Sequence, residues 1–183
     1  MNLKIIAAGL ISAAIAAPSA FASTGVVNFN GGITSSTCKV DGQDPGAGPI
    51  NKNVTMPWVR ASDMASVGDT AAKTTFRFVI GGPGDASCPN GTKVYAFFEA
   101  GSYGSVETGR LRASNRDNAG VEFQLYDKNN KAIIVGDGSQ GDVKETIVNN
   151  TATLFYSVAY YRVASISNGA LQSQTPYVIS FEP

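Results

Sequence analysis

Residues 25–33 place Gly25, Val27, Phe29, Gly31 and Ile33 on one face of an extended chain, with Val26, Asn28, Asn30 and Gly32 on the other. Side chains that alternate in this way belong to a β-strand. The strand stands directly behind an export leader. Lys4 gives the leader a positive start, residues 5–17 are an apolar run broken only by Gly9 and Ser12, and Ala20-Phe21-Ala22 is an A-x-A cleavage pattern. The 13-residue run is too short for a membrane span, which needs about 20 residues. Residues 1–22 are therefore expected to be removed, so that an apolar strand becomes the free start of an exported, soluble chain of 161 residues. Chain ends fray unless something ties them down. This strand needs a partner, in its own chain or in another.

The length suits one domain. Lys and Arg number 14 and Asp and Glu 14, without a basic run, which gives no support for binding nucleic acid or an anionic membrane. Histidine is missing altogether, which removes the commonest general base and metal ligand. The two cysteines, Cys38 and Cys88, are expected to pair in an oxidising compartment. They have neither the CxxC spacing nor the histidines of a metal site.

Turn-punctuated strands follow along the chain. Residues 41–49 form a Gly/Pro/Asp loop; Val54-Thr55-Met56 reads as a short strand stopped by Pro57, and Trp58 as core packing. Residues 60–72 have room for one helical turn. Strands are expected at 74–80, 93–99, 110–114 (weak), 121–126, 132–135, 153–163 and 177–181, with a hairpin turn at 127–131. Val121, Phe123 and Leu125 face inward, while Glu99, Glu107 and Glu122 sit at solvent-facing positions. The Gly/Asp loop 136–142 lacks the spacing of an EF-hand. Sequons at Asn53, Asn90 and Asn149 matter only in a glycosylating host. Seven or eight short strands without helical periodicity indicate an all-β sandwich. No nucleophile–base, phosphate-binding or dinucleotide motif is present, so no catalytic residue, metal or cofactor is implied.

Residues 23–38, an alternating extension with embedded glycines that runs up to a cysteine, resemble the N-terminus of bacterial fimbrial subunits assembled by the chaperone-usher route. Cys88 falls where that family has its second cysteine. Gly169 and Phe181 keep the family's glycine-to-aromatic interval of 12 near the C-terminus. The aromatic is Phe where Tyr is usual, third from the end instead of second. The resemblance implies an incomplete immunoglobulin-like sandwich, residues 34–183, lacking one strand. A periplasmic chaperone would first fill the gap, and the extension 23–33 of a neighbouring subunit would then replace it at an outer-membrane usher. Gly25, Val27, Phe29, Gly31 and Ile33 would be the donor face. Leu154, Tyr156, Val158, Tyr160, Gly169, Val178 and Phe181 would line the acceptor groove and meet the chaperone. The expected product is a surface fimbria supporting adhesion, without room for a separate sugar-binding domain. The competing expectation is a self-contained secreted sandwich that binds a ligand such as carbohydrate through Trp58, Tyr95 or Tyr103.

Overall fold

A computed structural model of the chain describes residues 38–114 and 120–183. The leader 1–22, the proposed donor face (Gly25, Val27, Phe29, Gly31 and Ile33) and the boundary at 33/34 lie outside the described residues. Eight strands are present among those described: β1 (Thr70–Gly81), β2 (Lys93–Phe98), β3 (Leu111–Arg112), β4 (Val121–Tyr126), β5 (Ala132–Ile133), β6 (Glu145–Thr146), β7 (Thr151–Arg162) and β8 (Tyr177–Glu182). Short 3-10 turns occupy Pro45–Ala47, Ala61–Met64 and Gly138–Asp142, and none of the described residues is α-helical. The chain is all-β.

The strands form two sheets. The first has the order β1-β7-β4-β3, with β5 also on β4; the second is β6-β2-β8, and every pairing is antiparallel. The long ladder between β1 and β7 runs from Thr70 opposite Tyr161 to Gly81 opposite Thr151. It is interrupted by a bulge between Ala71 and Thr74, where Ala72 takes φ 56°. The extra residue re-aims the strand, and Lys73 Nζ lies 3.9 Å from the centre of the Tyr126 ring.

Alternation carries the core. Phe76, Phe78 and Ile80 of β1 lie opposite Tyr156, Leu154 and Ala152 of β7, with Val94, Ala96 and Phe98 of β2 supplying the opposite layer. The aromatic rings interlock edge-to-face: Phe98 lies 5.0 Å from Tyr156 and Phe76 6.0 Å from Phe78. At one end the disulfide Cys38–Cys88 is fully buried. Gly81 packs against it with φ +67°, and a Cβ there would collide with Cys88 Sγ and the Asn150 carbonyl. That close approach requires glycine.

Three local expectations fail. Val54-Thr55-Met56 lies outside any strand and has no ladder partner among the described residues. Trp58 is 80 % exposed, not core. Val54 and Met56 are half-buried and pack on the core, but beyond Pro57 the inward position passes to Val59, which turns Trp58 out. Glu122 is 8 % exposed instead of solvent-facing. The hairpin 103–112 bonds back to its own strand, and from it both Arg110 Nε, at 2.8 Å, and Thr108 Oγ1, at 3.0 Å, donate to Glu122 Oε2. A carboxylate on an outward strand position is thereby covered and paired.

Candidate functional site

The second sheet ends at β8, and among the described residues nothing pairs with the edge of β8 turned away from β2. In an antiparallel ladder the backbone groups of successive residues point alternately to either side. The Glu99 N–H bonds the Pro176 carbonyl at 2.9 Å. This fixes the parity, so Val178, Ser180 and Glu182 spend their backbone groups on β2. Tyr177, Ile179 and Phe181 present theirs outward, where no hydrogen bond among the described residues engages them. Their side chains, half-buried, pack on the core.

Residues 49–59 run along the opposite lip. Their start is tethered: the Tyr177 hydroxyl donates to the Ile50 carbonyl at 2.5 Å, and Lys52 Nζ meets Asp41 Oδ2 at 2.9 Å. Lys52 also lies 5.6 Å from the centre of the Phe78 ring. Beyond Lys52 the lip is extended, and no hydrogen bond among the described residues engages the backbone of residues 53–59.

Between β8 and this lip lies a groove of about 1360 Å³. Its floor is apolar, with Phe76, Phe78 and Phe98 toward one end and Leu111, Phe123, Leu125, Val158, Tyr160 and Leu171 toward the other. Among the described residues Lys52 is the one charged residue on its wall, and it is already ion-paired. Burial pushes the Tyr160 and Tyr177 hydroxyls above the ordinary phenol range, so they stay neutral donors at physiological pH. Such a surface offers apolar contact and two rows of backbone donors and acceptors.

Val158, Tyr160, Gly169, Val178 and Phe181 lie on the wall of this groove. Val178 lies at the margin, 48 % exposed, because its parity in β8 turns it to the outer face. Leu154 and Tyr156 do not line it. Both are buried deeper between the sheets, and the Tyr156 hydroxyl is held by the Ala96 backbone N–H at 2.9 Å. Tyr177 and Ile179 were missed although their alternation with Phe181 was readable. The lip, with Val54, Met56 and Val59, was missed because an isolated extended segment carries no pairing signal. Cys38 and Cys88 are bonded to each other, as the compartment argument expects.

The family model FimA, described as "Type-1 fimbrial protein, A", matches residues 56–182, from the lip through β8. The chain belongs to the type-1 fimbrial protein family. It is 29 % identical over 175 residues to the major fimbrial subunit SMF-1 of Stenotrophomonas maltophilia (strain K279a), covering 91 % of this chain and 98 % of that protein. It is 24 % identical over 165 residues to the type-1 fimbrial protein A chain of Salmonella typhi, covering 87 % and 84 %. Among solved structures it is similar to the P pilus rod subunit PapA, with TM-score 0.57 and 14 % identity over 80 % of this chain and 100 % of that one. It is also similar to a subunit in a chaperone-usher pilus, with TM-score 0.56 and 14 % identity over 91 % and 100 %. The likeness to these pilins is one of fold: an immunoglobulin-like sandwich short of a strand.

Proposed function

We propose that this fimbrial-family chain is a structural, non-catalytic subunit of a bacterial surface fimbria that polymerises head-to-tail by donor-strand exchange. Residues 25–33 of one subunit fill the groove of the next. One observation carries the reading: a groove with an apolar floor lies between the edge of β8 and the lip, and no hydrogen bond among the described residues engages the backbone that either turns toward it. An open edge of this kind is an aggregation template unless something covers it. An alternating strand satisfies both requirements, since its backbone pairs with the edge while every second side chain enters the floor. A periplasmic chaperone would cover the groove before the outer-membrane usher hands the subunit on. The exported leader, the extension and the groove then serve one purpose.

Burying Val27, Phe29 and Ile33 contributes roughly 5–8 kcal/mol before ordering costs, and each backbone bond to Tyr177, Ile179 or Phe181 about 0.5–1.5 kcal/mol net. One extension and one groove per chain make a heterologous joint, which does not close on itself and so grows a filament. The test is thermal unfolding of residues 34–183, alone and with residues 23–36 fused to the C-terminus through a flexible linker. At roughly 2–4 °C per kcal/mol for a domain of this size, the fused strand should raise the midpoint by about 10–30 °C. An unchanged midpoint would mean that the sandwich is complete without it, as a self-contained ligand-binding domain would be.

A further inference from the structure

The second sheet has another edge, on the far side of β2, and there the backbone is closed residue by residue. By the same parity, Val94, Ala96 and Phe98 turn their backbone groups away from β8. Val94 is covered by β6, which pairs with β2 for two residues only. At Ala96 the backbone N–H is taken by the hydroxyl of Tyr156, which reaches across the core from the other sheet at 2.9 Å. At Phe98 the partner is a side-chain amide: Gln140 Oε1 accepts from the Phe98 N–H at 2.8 Å, and Nε2 donates to the Phe98 carbonyl at 2.9 Å. The Gly136 N–H also donates to that carbonyl, and Gln140 Nε2 reaches the Ile134 carbonyl at 3.1 Å. Gln140 lies in the turn Gly138–Asp142, which Asp137 starts by accepting from the Ser139 N–H at 2.8 Å. The amide therefore imitates one rung of a neighbouring strand and pins the turn along the edge.

We propose that Gln140 determines where a strand adds to this subunit. By capping β2 at Phe98 it closes the stretch of that edge which the two-residue β6 does not cover, so that β8 is the long edge of this sheet left open among the described residues, which keeps growth linear. The proposal rests on strand addition at β8. Without the cap, the Phe98 N–H and a loosened turn would offer a second pairing edge on the opposite side of the same sheet, and a subunit with two acceptor edges branches or aggregates.

The experiment compares the full chain with its Gln140→Leu and Gln140→Glu variants, refolded as monomers and followed by light scattering. Each is run with and without excess synthetic peptide of residues 25–33, which occupies β8. Leucine removes both contacts to Phe98. Glutamate keeps an acceptor for the Phe98 N–H and sets a charge beside the edge, which opposes pairing. With peptide present, the wild type and Gln140→Glu should stay monomeric while Gln140→Leu continues to associate. Amide exchange at Phe98 should speed roughly tenfold in Gln140→Leu, the protection of about one hydrogen bond. A monomeric Gln140→Leu, or equal association of the two variants, overturns the proposal, since the residue would then be merely structural. If peptide fails to stop the wild type, the groove reading fails by itself. The leucine–glutamate contrast without peptide still decides whether β2 is a pairing edge.

Discussion

Removing one oxygen from the core, by Tyr156→Phe, probes how the two sheets are joined. The ring would stay between Phe98, at 5.0 Å, and Phe76, at 5.9 Å, so packing is kept. What goes is the acceptor for the buried Ala96 N–H. A buried donor left without a partner costs about 1–3 kcal/mol, which at roughly 2–4 °C per kcal/mol lowers the melting midpoint by about 2–12 °C. The same hydroxyl leaves a mark at alkaline pH. Desolvation pushes its pKa from 10.0 up to about 12. The unfolded chain thus loses this proton first as pH rises, and the stabilisation, complete below about pH 10, drains away between pH 10 and 12. Two units correspond to roughly 2–3 kcal/mol. Tyr126, Tyr160 and Tyr177, also raised by burial, decline in both proteins. The test is therefore the difference between wild type and variant in urea unfolding from pH 8 to 12. The gap should be largest near pH 8 and close toward pH 12. A gap that stays constant would refute a hydroxyl buried between the sheets. Donor-peptide affinity should be unchanged, because Tyr156 does not line the groove.

Other substitutions test the groove and its support. Phe29→Ser should block incorporation into polymer, read as loss of the heat-resistant oligomer ladder on gels, while the melting of residues 34–183 cannot change; normal assembly would remove Phe29 from the donor face. Ile179→Pro deletes an N–H that points into the groove, not into the β2 ladder, so the subunit should fold with about 1 kcal/mol lost or less and bind donor peptide at least roughly tenfold more weakly. Ser180→Pro, one residue on, breaks the ladder and should cost about 3 kcal/mol; equal effects of the two prolines would contradict the parity assigned to β8. Cys38→Ser opens a 50-residue loop worth roughly 4 kcal/mol on the chain-entropy model. It should lower periplasmic subunit levels, and unchanged levels would contradict a stabilising bridge.

Strand positions were legible wherever side chains alternate over five residues or more, as in β1, β4, β7 and β8. The sequence could not show which alternating face meets which neighbour. Leu154, Tyr156, Val158 and Tyr160 share one face of β7, yet only the last two reach the groove. The difference is set by where Phe76 and Phe78 of β1 lie across the register, opposite Tyr156 and Leu154. Glu122 reads as solvent-facing from its strand parity but is covered, because Arg110 and Thr108 return to it from a hairpin, a contact that no local pattern encodes. Trp58 read as core because its size is a strong prior for burial, but the half-turn of register lost at Pro57 outweighs it. The lip was the least legible part of the site, since its natural pairing partner is not next to it in the chain.

The two edges of the second sheet show why strand addition can be directional. A permanent edge can be closed by side chains, because Tyr156 and Gln140 are ordered by the same folding that orders β2, and their ordering cost is met once. The β8 edge cannot be closed in that way and remain available, since a side-chain cap would compete with every incoming strand. Its groove is therefore apolar, and among the described residues the hydrogen bonds that hold the lip are at Ile50 and Lys52. On the proposed donor-strand reading, a lone subunit falls short of the stability of a complete sandwich, and an incoming strand removes that deficit. The free energy that drives the joint and the instability of the free subunit would then have one structural origin: the outward backbone of Tyr177, Ile179 and Phe181, which no hydrogen bond among the described residues engages, above an apolar floor.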